Sequence, residues 1–417
     1  MKNPFEGLPK EVAVLTAVSF SVAIGYGVII PAIPLFARSF GVSNFAVGAV
    51  ISLFSFMRFS SGLIGGKLVD RFGERLVLAA GMGIVSLSTL LAGLSQNYGE
   101  LLLFRAFGGI GSSMFTVSAG SLLLRIVPNH QRGRAQSTYQ SGFLIGGISG
   151  PAIGGILSEI SLRAPFFIYS ASLIMAGVIA AIFLSHSRLG TNDIAQVHPN
   201  ETQTTLKQAL RSWPYQAALF ASFSTGWAIF GIRSSMVPLY VKNGLHSSTT
   251  ITGLGFTFAS IIGAAFLLPA GATADKRGRR FAIIIGTSLS IVGLSVLTFL
   301  QYPIFFILAM GLTGVGAAFT GSPSAAVVGD IIKGRGGQVI ALYQMVGDFG
   351  SVMGPLVAGF LADHYGFEAG FLTAVIIVIP ALLLAIRMPE TKTAEPNASA
   401  NTPAITGVPD EKIPGTI

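Results

Sequence analysis

The chain has 417 residues, of which 51% are hydrophobic and only 10% charged, and its mean hydropathy is +0.70. Ordinary soluble domains carry about 25% charged residues, so a water-soluble globule that hides this much apolar surface is excluded. There is no cysteine, which removes disulfides, thiolate metal sites and cysteine nucleophiles, and the formal net charge is +9.

Crossing a bilayer core takes about 20 mostly apolar residues, and twelve stretches qualify. Spans 1 to 6 are expected at 12–37, 44–66, 76–95, 100–124, 135–158 and 165–185. Spans 7 to 12 are expected at 214–240, 250–271, 281–300, 303–328, 338–361 and 367–387. The first stretch is too long for a signal peptide and lacks a cleavage pattern. Residues 186–212 read as a polar connector, and 389–417, rich in Pro, Thr, Ala and charge, as a disordered tail. The expected division is therefore 1–185, a first six-helix bundle; 186–212, a connector; 213–388, a second bundle; and 389–417, a tail.

The lysines and arginines test this map. With the N-terminus inside, 20 of the 26 fall on inner segments and only Arg38, Arg163 and Lys242 on outer ones. Arg58, Arg105 and Arg233 fall within spans. Such an imbalance is the positive-inside signature. It predicts a multi-pass protein of the cell (inner or plasma) membrane with both termini cytoplasmic, and it explains the basic balance without nucleic acid as a partner. The Asn200-Glu201-Thr202 glycosylation pattern then lies inside and is discarded.

The two halves repeat. "GKLVDRFGER" at 66–75 returns as "GATADKRGRR" at 271–280, and "GGIGSS" at 108–113 as "TGVGAA" at 313–318, both 205 residues on. "YQ" at 139–140 and "GP" at 150–151 return 204 residues on, and "IPLF" at 33–36 returns as "VPLY" at 237–240. Landmarks in one order at nearly one offset imply duplicated bundles, a common transporter plan.

On these residues the chain resembles the major facilitator superfamily, over roughly 10–390. The family's loop signature between spans 2 and 3, Gly-x-Leu-x-Asp-Arg-x-Gly-Arg-Arg, is met by Gly66, Leu68, Asp70, Arg71, Gly73 and Arg75, with Glu74 as a departure. The second copy keeps Gly271, Asp275, Gly278, Arg279 and Arg280, and departs at Thr273 and Lys276. The resemblance implies an all-α membrane protein with 12 transmembrane helices in two pseudo-symmetric six-helix bundles. It also implies a gating role for these loops, with Asp70 facing basic neighbours and the positive N-terminus of span 11. The plainer alternative is a tight basic turn.

In span 5, Gly150, Pro151, Gly154 and Gly155 resemble the motif of the drug/proton antiporter group, although Ser141 stands where that pattern has another Gly. Pro kinks a helix, and small residues allow close packing, here expected against span 8. In span 4, Arg105 with Gly109 and Gly111 resembles a third family motif. Met310 replaces the arginine in the second half, which favours a specific role over a scaffold one.

A charge within a span costs about 3 kcal/mol and marks function by default. Asp348 is the one acid deep in a helix. It lies at about the same depth on span 11 as Arg58 on span 2, counting 1.5 Å per residue. The resembled fold packs spans 2 and 11 against each other across the two halves, so the resemblance implies an Arg58–Asp348 pair there, either as a clasp or as a proton-coupling switch that opens when Asp348 is protonated. Span 1, "FSVAIGYGVIIPAIPLF", lacks the acid common in the antiporter group, which moves weight onto Asp348. Arg105 and Arg233 are candidates for a substrate cavity or for snorkelling to headgroups. Tyr26, Trp227, Phe230 and Tyr139 are candidate cavity aromatics or simple packing.

His130, His186, His198, His246 and His364 show no metal spacing, and no phosphate-binding Gly-Lys-Ser or Gly-Lys-Thr loop is present. No cofactor, metal or enzymatic constellation is expected. The expected function is a secondary active transporter, proton-coupled, exporting amphipathic drug-like molecules by alternating access. Its expected partners are a small-molecule solute, protons and the bilayer, and it is expected to act as a monomer. Alternatives are a transporter of an organic anion or nutrient that uses Arg105 and Arg233, and a non-transporting membrane sensor.

Overall fold

The computed structural model describes residues 7–127, 131–184, 204–332 and 337–391. Most of the connector, the tail from 392, and His130, His186 and His198 lie outside the described residues. Within them the chain is helical and contains no strand. Among the described residues, eleven helices are long and apolar enough to cross a membrane. Large apolar side chains such as Ile160, Leu268 and Ile304 stand exposed on their outer faces, as a lipid-facing surface requires.

The spans run longer than hydropathy alone predicts. Span 2 is Asn44–Phe72 and span 3 is Glu74–Leu94, so one residue, Gly73, makes the whole turn between them. Gly278 does the same between span 8, Thr249–Arg277, and span 9, Arg279–Phe299. Gly73 has φ +79° and Gly278 +109°, a region that only glycine enters without strain. The loop motifs are thus helix ends meeting at a single left-handed glycine. The other long helices are Tyr98–Ile126, Arg132–Ile160, Ala164–Phe183, Pro303–Ile331, Gly337–Tyr365 and Phe367–Arg387.

Spans 1 and 7 are the irregular ones. Span 1 divides into Lys10–Ile29 and Ala32–Arg38, with Pro31 between. Span 7 begins as the α-helix Trp213–Thr225 and continues as a π-helix, Gly226–Arg233, then Val237–Leu239 and a second π turn, Tyr240–Gly244. Each irregularity sits near the repeated Pro-Leu pair (Pro34-Leu35 and Pro238-Leu239). Interruptions at corresponding places in two repeats point to a binding site between them, and π turns favour functional positions.

Packing follows the repeat. Span 1 packs on 5 and 6, span 3 on 4 and 6, and span 2 on 4; span 7 packs on 11 and 12, span 9 on 10 and 12, and span 8 on 10. Across the halves, span 2 meets 11 and span 5 meets 8. Because the chain alternates direction, both glycine turns, at 73 and 278, lie at one end of the molecule, here the motif end. The start of span 2 and the end of span 11 meet at the opposite, far end.

Candidate functional site

A cavity of about 400 Å³ lies between the halves, walled by the broken spans 1 and 7 together with spans 2, 4, 10 and 11. Its wall at the far end is buried, including Ile33, Ile51, Phe54 and Ser351, whereas Thr116 and Gln344 toward the motif end are exposed. The cavity is therefore shut at the far end and wet from the motif end.

Arg58 Nη2 and Asp348 Oδ1 stand 3.8 Å apart on this wall, with side chains 44% and 35% exposed. At that separation they form an ion pair without a direct hydrogen bond. The pair is the innermost of a set of cross-half contacts. Outward from it, the Ser52 hydroxyl donates to the Val352 carbonyl at 2.6 Å, and the Asn44 and Phe45 amides donate to Asp363 at 2.7 and 2.9 Å.

Arg105 is only 3% exposed. It lines the same cavity with its guanidinium 4.3 Å above the Phe54 ring. Its Nε has no hydrogen-bond partner, and no described acid pairs with it. A buried cation supported mainly by an aromatic face is under-compensated, so an anionic group entering the cavity would find a partner there. Tyr26 also lines the cavity, its ring packed edge-on to Tyr169 at 6.2 Å, and Phe230 projects into it.

The other cavity candidates are placed elsewhere. Trp227 is buried in the second half with Nε1 donating to Thr373 at 3.2 Å. Tyr139 is buried in the first half against Phe143, ring centroids 5.4 Å apart. Arg233 stacks on Phe256 at 5.6 Å. It borders a small void with Thr287 and Met310, and a groove with Phe143, Ala259 and Gly263. The π-helix ending at Arg233 changes which side its residues face, which a 3.6-residue period does not foresee. Residues not singled out from sequence as site candidates but lining the cavity include Phe54, Tyr343 and Gln344. Tyr343 and Gln344 are the second copy of the "YQ" repeat, whose first-half tyrosine turned out to be core.

The span 5 motif faces two ways. A side chain on Gly150 would strike the backbone of Ile24 and Gly27, and one on Gly154 the backbone of Val28. These glycines seat span 5 on span 1. Gly155 alone faces span 8, where a Cβ would come 2.7 Å from the Thr249 carbonyl and 3.0 Å from Gly253 Cα. The expected packing against span 8 thus applies to Gly155, and Pro151 sits between the two contacts, its carbonyl against Gly253.

At the motif end each loop pairs within its own half. Asp275 pairs with Arg279, whose Nε reaches Asp330 at 3.3 Å. The Arg279 and Arg280 amides donate to Glu390 at 2.7 and 3.1 Å, which caps the start of span 9. In the first copy Glu74, the departure from the signature, is buried and pairs with Arg125 at the end of span 4, 2.7 Å away. Arg75 donates to the Ala181 carbonyl, and Arg71 lies over the Phe72 ring. Asp70 is exposed and forms no ion pair with a described residue; residues 333–336, before span 11, lie outside those described. Gly66 and Gly271 have open space around them.

The family model for the Major Facilitator Superfamily matches residues 15–243 and 218–411. The chain belongs to this superfamily. The multidrug resistance protein MdtG of Proteus mirabilis (strain HI4320) is 28% identical over 392 residues, covering 89% of this chain and 95% of that one. MdtG of Enterobacter lignolyticus (strain SCF1) is 28% identical over 374 residues, covering 86% and 87%. Among solved structures, an inward-facing bacterial homolog of the human lysosomal transporter Spinster superimposes with a TM-score of 0.76 at 17% identity, covering 90% of this chain and 95% of that chain. The nucleoside transporter NupG superimposes with a TM-score of 0.72 at 13% identity, covering 90% and 98%. This member of the superfamily is a multi-pass membrane protein and a secondary transporter, not an enzyme, which sets aside the sensor reading.

Proposed function

We propose that the protein exports amphipathic, drug-like molecules across the cell membrane, driven by protons moving the opposite way. The observation that carries this reading is the cavity between broken spans 1 and 7. It offers apolar and aromatic wall from Tyr26, Phe54 and Phe230, and it contains one carboxylate, Asp348, beside Arg58. Its similarity to proteins named for multidrug resistance, over most of both chains, supports the substrate class. The charge distribution supports cytoplasmic termini and puts the motif end inside the cell. The chain works as a monomer on this reading, since one copy encloses the cavity.

Proton coupling is assigned to Asp348. Ionised, it holds Arg58 across the halves; protonated, it lets the pair part. Proteoliposomes with an imposed pH gradient test the proposal directly. Amphipathic fluorescent solutes should be pumped against their gradient when the pH gradient has the driving sign, and equilibrate when it is collapsed. Equal accumulation with and without the gradient contradicts proton antiport.

A second reading, that the solute carries an anionic group, is favoured by Arg105, the buried guanidinium with no described acid partner. Thermal-shift comparison of matched anionic and cationic amphiphiles separates the two. Stabilisation by cations alone rejects the anion reading.

A further inference from the structure

The far end contains the same construction twice, at the spacing of the repeat. At the end of span 5, Gly155 and Glu159 meet the start of span 8. At the end of span 11, Gly359 and Asp363 meet the start of span 2. Gly359 and Asp363 lie 204 residues after Gly155 and Glu159, and the receiving residues Thr249 and Gly253 lie 205 after Asn44 and Gly48.

The geometry of each copy has two parts. First, glycines bring the backbones together. A Cβ on Gly155 would meet the Thr249 carbonyl at 2.7 Å, and one on Gly359 the Asn44 carbonyl at 2.6 Å and Phe45 Cα at 2.8 Å. Second, a carboxylate one turn further on caps the helix of the other half. Glu159 Oε1 accepts from the Thr250 amide at 2.9 Å. Asp363 accepts from both Asn44 and Phe45, one oxygen each, at 2.7 and 2.9 Å. The Thr249 hydroxyl adds a bond to the Gly155 carbonyl at 2.9 Å. The first amides of a helix have no partner of their own and carry the positive end of its dipole, so in each copy an anion in one half satisfies donors in the other.

We propose that Glu159 and Asp363 are a duplicated latch that holds the far end of the cavity shut, and that both must let go for the cavity to open there. The inference uses the transporter assignment and is independent of solute identity. No function assigned above involves these two acids. Neither is needed to cap a helix of its own half, because each sits at the C-terminal end of its helix, where a negative charge is disfavoured. Holding an acid there makes sense only for a donor brought by another element, and in both copies that element belongs to the opposite half. The hand-over between halves is what distinguishes the pair from Glu100, which accepts from the Gln96 amide at 2.8 Å inside the first half.

The test exploits the absence of cysteine. Ser55→Cys places one thiol on the cavity wall. A membrane-impermeant maleimide is added to intact cells, where the far end faces the reagent. Both acids are exposed and their bonds are weakened by water, so Glu159→Gln or Asp363→Asn alone should speed labelling only about two- to fivefold. The double variant should speed it about tenfold, near the product of the two. Glu100→Gln should leave it unchanged. Glutamine and asparagine keep size and an acceptor oxygen, and the melting temperature in detergent confirms that each variant folds. The charge-retaining pair Glu159→Asp with Asp363→Glu should stay closer to the parent than the neutral pair does. A double variant as protected as the parent, or a Glu100→Gln variant as labelled as the double variant, overturns the proposal.

Discussion

The two ends of the cavity are built differently, and only the far one is closed. At the far end the halves touch backbone to backbone through Gly48, Gly155, Gly253 and Gly359, and carboxylates 159 and 363 bridge to helix starts in the opposite half. At the motif end Gly66 and Gly271 stand in open space, Asp70 is exposed, and Asp275 pairs with Arg279 in its own half. The seal that exists is made of close packing, and on the proposed export cycle the loop motif at the other end serves a state in which that end shuts. A transporter that exposes one midplane site to each side in turn needs two such seals of comparable strength. The comparison teaches where each would be encoded: the far seal in glycines and helix caps, and, on the proposed cycle, the motif-end seal in charges that here pair within their own halves.

The difference can be broken most severely at the hinge of the charge pair between the ends. Asp348→Asn removes the one deep carboxylate and leaves Arg58 without its partner 3.8 Å away. Uphill export in a pH gradient should fall to the leak level, while exchange of solute at equal pH on both sides persists. Retained uphill export would show that coupling resides elsewhere.

Next in size, Gly155→Val and Gly359→Val drive side chains into backbone at 2.7 and 2.6 Å. Overpacking of this kind costs about 1–3 kcal/mol, visible as a lower melting temperature in detergent and slower transport. Smaller again, Arg105→Met should weaken binding of an anionic amphiphile about tenfold and leave a cationic one unaffected, with Arg105→Lys intermediate; calorimetric titration reads both. Smallest are Gly66→Ala and Gly271→Ala, which meet nothing within 4 Å. They should change stability by less than about 0.5 kcal/mol, and a large loss of folded protein from either would mean the motif end is packed more tightly than the open space around it implies.

Much of this was legible in the residues. Hydropathy located the helices because apolar length is a strong signal, and the offset of 204–205 located the pairing of the halves. Matching depth, together with the packing of spans 2 and 11 that the family resemblance implies, sets Arg58 and Asp348 opposite one another. Three things were not legible. Helix ends ran on to Gly73 and Gly278 because polar residues at a membrane surface still continue a helix. Trp227, Tyr139 and Arg233 are cavity candidates by sequence, yet facing depends on helical phase: the π-helix at Gly226–Arg233 shifts it for Trp227 and Arg233, and Tyr139, on the regular span 5, turns into the first-half core against Phe143. Glu159 and Asp363, taken singly, are charges at helix ends and carry no signal of their own. The signal that finds them is the repeat itself, since each follows its glycine, Gly155 or Gly359, by four residues and the two copies share the offset of the "GP" pair.

The most direct measurement follows both ends at once. Two spin-label pairs in separate cysteine-containing variants suffice: Ile160→Cys with Leu254→Cys across the far end, and Phe72→Cys with Ile340→Cys across the motif end. Pulsed dipolar spectroscopy in lipid nanodiscs, with and without a transported solute and at two pH values, reports the distances. The account predicts reciprocal change, a far-end population that lengthens as the motif-end population shortens. Two distances that lengthen together, or that stay fixed under conditions in which solute is transported, would contradict it.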